Sequence, residues 1–205
     1  MMLWIRARRP WWMAGALVLM LGIDRLVGEL ALSVPALFGG GVNFVFLRTY
    51  LPLIWAAAIA DSFAGRGLSI EARPTLLASM PVSRLGLLDA GLFVVASSTA
   101  AVLFSGLQPG GLSAVAPVLV LSGVACIGTL QAGPAVGAFA STMLMLLTSI
   151  YPRNAPAARF IHILQPDGEP AWSTACGFVV CLAAAGMLAT NSALTRLRAA
   201  EVSAL

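Results

Sequence analysis

His162 is the only histidine in the chain, and that count alone removes several chemistries. A His-Glu-x-x-His zinc site needs two histidines on one helix face. A serine protease within the membrane needs its serine inside a span and a histidine on another. The nearest serine candidate, Ser113 in Gly111-Leu-Ser-Ala114, falls in or beside a turn. His162 therefore reads as an interfacial histidine with its hydrogen bonds met. All twelve basic side chains are arginine and lysine is absent. Without lysine the chain has neither a Gly-Lys-Ser/Thr phosphate loop nor a Schiff-base nucleophile. Cys126, Cys176 and Cys181 lie inside apolar runs, and the last two are five residues apart, on different helix faces. They read as apolar packing rather than as a disulfide or metal ligands. Catalytic residues, metal ligands and cofactors of its own are not expected in this chain.

The remaining chemistry is charge inside apolar sequence. Asp24, Arg25 and Glu29 fall in the first apolar run and Arg48 in the second. On a helix starting near Trp12, Asp24 would sit about 18 Å along the axis. That is slightly beyond the middle of a roughly 30 Å hydrocarbon core. Two acids and two arginines balance, as charges within a membrane must. They form either the polar wall of a cavity or a structural set, an ion-pair cluster holding the first two helices or a snorkelling outer ring, and the structural reading is preferred.

The elements that must position these residues follow from composition. The 205-residue chain is 60% hydrophobic and 10% charged, against about 25% charged in soluble domains. The bilayer is the solvent this implies, and the expected fold is an all-α integral membrane protein, one transmembrane domain covering residues 1–205. Six spans are predicted, near Trp12–Val34, Val42–Phe63, Leu85–Leu107, Leu112–Leu130, Pro134–Tyr151 and Ala171–Leu194. Arg6, Arg8 and Arg9 beside Trp4, Trp11 and Trp12 read as an interfacial anchor. The rival reading, a secretory signal peptide, lacks a clean small-x-small site after the apolar run. Arg66, Arg73, Arg84, Arg196 and Arg198 join the N-terminal arginines on one side of this layout, while the other side holds only Arg153 and Arg159. The bias places both termini and the 61–84 segment in the cytoplasm. The net charge of +4 is thus a topology signal and not a nucleic-acid one. Small residues in the spans, such as Gly123, Ala125 and Gly128, and Ala183 to Gly186, would let helices approach closely.

One segment stands apart. Between the second and third apolar runs lies the polar, Pro-punctuated stretch from Asp61 to Arg84. Pro74 suits the first turn of a short helix. Leu76, Leu77 and Met80 give that helix an apolar face, Pro81 ends it, and Ser83 is placed to cap the following span. Glu71, Arg73 and Arg84 rim this amphipathic cytoplasmic helix. It is either a docking surface or a plain connector.

The turn Pro81-Val82-Ser83-Arg84, followed by Leu85-Gly-Leu-Leu88, is similar to the entry to the third span in the membrane subunits of ABC-2 type transporters. The close fourth and fifth runs around Gln131–Pro134, the Pro-containing outer segment Tyr151–Trp172 and the basic tail Arg196–Arg198 resemble the same family. The chain departs from the pattern at Arg73-Pro-Thr-Leu, where Gly-Thr-Leu-Glu is common, and at Asp89, where a basic residue is common. The resemblance implies a permease subunit of an ATP-driven exporter, not catalytic itself and located in the cell membrane. It would pair with a second membrane subunit, as a homo- or heterodimer, and with separate ABC ATP-binding subunits that hold ATP and Mg. Glu71, Arg73, Leu76, Leu77, Met80, Pro81, Ser83 and Arg84 would then couple to the ATPase. The alternative is a non-transporting membrane scaffold or assembly subunit of a larger complex.

Overall fold

The computed structural model describes residues 2–35, 42–64, 82–106, 111–150, 164 and 170–191. A short helix α1 (Met2–Arg8) leads into α2 (Pro10–Val27). Between them Arg9 takes a left-handed conformation, φ 45°, and Pro10 starts the new helix where its missing N–H is harmless. The strands β1 (Ala31–Pro35) and β2 (Val42–Phe46) form an antiparallel hairpin. A 3₁₀ turn, Leu47–Tyr50, then enters α3 (Pro52–Phe63). After the 65–81 segment come α4 (Val82–Gly106), a 3₁₀ turn at Gly111–Ala114, α5 (Val115–Ala132), α6 (Pro134–Ile150) and α7 (Pro170–Asn191).

Among the described residues, four helical stretches are long and apolar enough to cross a membrane: Trp4–Val27, Arg84–Gly106, Val115–Ala132 and Trp172–Thr190. Pro134–Ile150 is a shorter apolar helix. The expectation of a largely helical membrane protein holds, with two corrections. The first predicted span, drawn to Val34, ends at Val27. The second, drawn as one helix from Val42, is a strand, a 3₁₀ turn and then the 12 residues of α3. Gly28 stops the first helix, and the β-branched and aromatic residues of Val42–Phe46 suit a pleated strand. The described residues are mostly helical, and this short hairpin is the exception among them. The amphipathic helix expected between the second and third spans lies outside the described residues.

The core is built around α5, which packs against α3, α4, α6 and α7. Its residues from Val115 to Gly123 are buried without a break, as a helix apolar on every side must be. Glycine makes the closest approaches. A Cβ on Gly137 of α6 would overlap the carbonyl oxygen of Ala125 and the hydroxyl of Thr129 on α5, and one on Gly128 would meet Gly137 Cα at 2.8 Å. This is the small-residue packing that drives helix association in lipid. Two hydroxyls at the α5–α6 contact return to the backbone: Thr129 donates to Ala125 O at 2.7 Å, and Ser141 to Gly137 O at 3.0 Å and, across the helix pair, to Leu121 O at 3.2 Å. The outside of the bundle is apolar too, with Val18, Leu19, Val95, Phe139, Val179 and Leu182 exposed. Core and surface are both hydrocarbon-compatible, which is the arrangement a bilayer requires.

Candidate functional site

Helix α1, from Trp4 to its last residue Arg8, and the last turn of α3 meet the early part of α4, and a buried ionic cluster fills the junction. Trp4 and Arg8 are four residues apart, so both project from one face of α1. Arg8 and Asp89 are fully buried. Asp89 Oδ1 accepts from Trp4 Nε1 at 2.8 Å and from Arg8 Nε at 2.8 Å, while Asp89 Oδ2 accepts from Arg8 Nη2. The contact is the forked, charge-assisted geometry that makes arginine–carboxylate pairs strong. Arg8 Nη1 also donates to the carbonyl oxygen of Ser62 at 3.3 Å. The guanidinium carbon lies 5.1 Å from the centre of the Phe63 ring, a cation–π contact. Phe63 in turn meets Phe93 edge-to-face at 5.8 Å. A weaker pair, Arg9 to Asp61 at 3.3 Å, sits on the solvent side.

The arrangement explains how a charge pair survives here. Removing two ions from water costs several kcal/mol each. Multiple hydrogen bonds and a facing aromatic ring offset that cost, so each charge has a partner. The consequence is mechanical. Ser62 and Phe63 close α3 just before the 65–81 segment, and Asp89 lies one to two turns into α4 just after it. One guanidinium therefore ties α1 to both stems of the polar segment.

Sequence reasoning missed this site. Arg8 was read only as a topology charge and Asp89 only as a departure from a family pattern. The available signal was an acid seven residues into an apolar helix, which needs a cation. Arg8 is the cation, but it is 81 residues away, and no local pattern links the two.

The predicted intramembrane cluster is partly assembled, and elsewhere than expected. Because α2 ends at Val27, Asp24 lies one turn from its end, not mid-membrane. Arg48 pairs with Glu29 at 3.1 Å, donates through Nε to Gly28 O at 3.2 Å, and stands 5.5 Å from the Phe46 ring centre. The Glu29 side chain is 87% exposed. Asp24 folds back over Gly28 and its Oδ1 has no hydrogen-bond partner among the described residues. Arg25 is exposed. The Arg48–Glu29 pair joins the end of α2 to the turn before α3.

Of the predicted coupling residues, Glu71, Arg73, Leu76, Leu77, Met80 and Pro81 lie outside the described residues, as does His162. Ser83 is the second residue of α4 and thus inside the helix rather than before it. Arg84 is exposed on its first turn. Among the described residues no group of three histidines, cysteines or acids could hold a metal ion, and the three cysteines are unpaired by disulfides. Comparison of the chain with protein-family models, with curated proteins and with solved structures finds no match.

Proposed function

We propose that the chain is the membrane-spanning subunit of an ATP-driven exporter of the ABC-2 type, coupled to a separate ATP-binding subunit through the 65–84 segment. The carrying observation is the Arg8 cluster. A segment that receives force must be tied to the spans it moves, and here both stems of that segment, at Ser62 and Asp89, are clasped by the same side chain. Pro81-Val82-Ser83-Arg84 closes the segment, and Arg84 stands exposed at its end. Six crossings fit the elements if the 3₁₀ turn at Leu47–Tyr50 continues into α3, a combined rise of about 26 Å. The arginine bias then sets the clasp, both termini and the 65–84 segment on the cytoplasmic side. ATP and Mg belong to the partner, and a second membrane subunit completes the pathway.

The test is affinity purification of the tagged chain from mild detergent. The wild type is expected to retain a lysine-bearing P-loop ATPase. A Leu77→Asp, Arg84→Glu variant should insert normally and release it. Leu77→Asp alone should be the more damaging change, because rim charges are worth under about 1 kcal/mol. Recovery of no ATPase with the wild type, or full retention by the double variant, overturns the reading and moves the scaffold alternative ahead.

A further inference from the structure

The β1–β2 hairpin is the one described element that fits neither the bundle nor a water-exposed surface. Its register pairs Ala31 with Phe46, Leu32 with Val45 and Ser33 with Phe44. Side chains alternate across a strand, so Ala31, Ser33, Phe44 and Phe46 share one face and Leu32 and Val45 the other. Both strands touch α6. Val45 is buried, 7% exposed, and Leu32 beside it 42%, whereas Phe44 is 67% and Phe46 49% exposed. A hairpin with one face on a core and the other in water alternates apolar-in and polar-out. This one carries two phenylalanines on its outer face.

Two constraints fix where such a face can sit. Among the described residues the sheet has two strands, so no further strand there pairs the N–H and C=O groups of its outer edges. Each such group costs several kcal/mol in hydrocarbon, which excludes the bilayer core. Two exposed phenylalanine rings in water forgo their burial. The boundary between headgroups and acyl chains satisfies both, since water reaches the edges and the rings reach hydrocarbon. The level agrees. α2 leaves the Arg8 cluster at Pro10 and rises about 27 Å over 18 residues, delivering the hairpin to the opposite face of the membrane. The apolar surface is continuous into it, because Leu26 on the last turn of α2 is exposed. Cations mark the headgroup level beside it: Arg25 is exposed, and Arg48 stands over Phe46.

We infer that the hairpin is a membrane-seated surface whose partner is the lipid bilayer itself, with Phe44 and Phe46 inserted at the headgroup–acyl boundary of the leaflet opposite the Arg8 cluster. Insertion there is shallow, about 5–10 Å. The seat sets the level at which α2 ends and α3 begins, and it holds the Glu29–Arg48 pair at the membrane surface. The inference stands apart from the transport reading, because it draws on no ATPase and no substrate.

The experiment uses the full chain in lipid nanodiscs with Cys126, Cys176 and Cys181 replaced by alanine. An environment-sensitive fluorophore is attached at Phe44→Cys, at Phe46→Cys and, as a smaller change on the same face, at Ser33→Cys. Nitroxides placed high on the lipid acyl chain should quench the Phe44→Cys and Phe46→Cys labels several-fold more than nitroxides near the chain end or aqueous iodide. Should Phe44→Cys fail to fold, the other two positions report the same face. Dominant quenching by iodide would place the face in water and overturn the inference. Quenching that instead falls when labelled chains are diluted with unlabelled ones would show a second copy seated there, and would overturn it equally.

Discussion

Replacing Arg8 by methionine should be among the most damaging single changes in the described part of the chain. The substitution keeps an unbranched side chain of similar reach but removes the cation. Asp89 would keep only the Trp4 Nε1 bond of its three, and the Ser62 carbonyl would lose its donor. An uncompensated buried charge of this kind costs about 3–5 kcal/mol. The lost cation–π contact with Phe63 adds about 1 kcal/mol. Asp89→Leu alone strands the guanidinium and should cost a similar amount. The double variant Arg8→Met, Asp89→Leu is the decisive one. It replaces an ion pair by packed apolar groups, a change that is often neutral. Its loss should therefore be far smaller than the sum of the two single losses. The assay is unfolding of the detergent-extracted protein followed by tryptophan emission, with Trp55 buried as an internal reporter. A double loss equal to the sum of the singles would show that the two groups do not act on one another and would refute the cluster as the clamp on α1, α3 and α4.

Gly137→Ala should destabilise the α5–α6 pair by about 1–3 kcal/mol, because the added methyl meets the backbone carbonyl of Ala125, which cannot swing aside, as well as the Thr129 hydroxyl; Gly15→Ala, in open space, should change stability little in the same unfolding assay. Arg48→Ala should cost about 1 kcal/mol or less, since its partner Glu29 is solvated; a loss as large as that of Arg8→Met would show that Asp24, and not Glu29, is the partner that matters.

Hydropathy alone identified the membrane and gave the third to sixth apolar segments within a few residues of α4, α5, α6 and α7. Gly133 and Pro134 announced the abrupt α5–α6 turn, where Gly133 holds φ +100°. The residues from Val27 to Tyr50 defeated the same reasoning, because an apolar run long enough to cross a membrane carries no periodicity that separates strand from helix.

Transfer free energy is a local property, summed residue by residue, so the amino-acid sequence by itself determined that this chain lives in a bilayer and where most helices begin and end. The balance of acids and arginines was equally readable. Which acid meets which arginine was not. The pairing of Arg8 with Asp89, and the seating of Trp4, Ser62 and Phe63 around them, joins residues 2–8, 52–63 and 82–106. It exists only because α3 and α4 pack around α5 and leave a junction that α1 can fill. The hairpin also rests on pairing: Ala31–Pro35 and Val42–Phe46 satisfy one another's backbone groups strand to strand, which the hydropathy of the run does not encode.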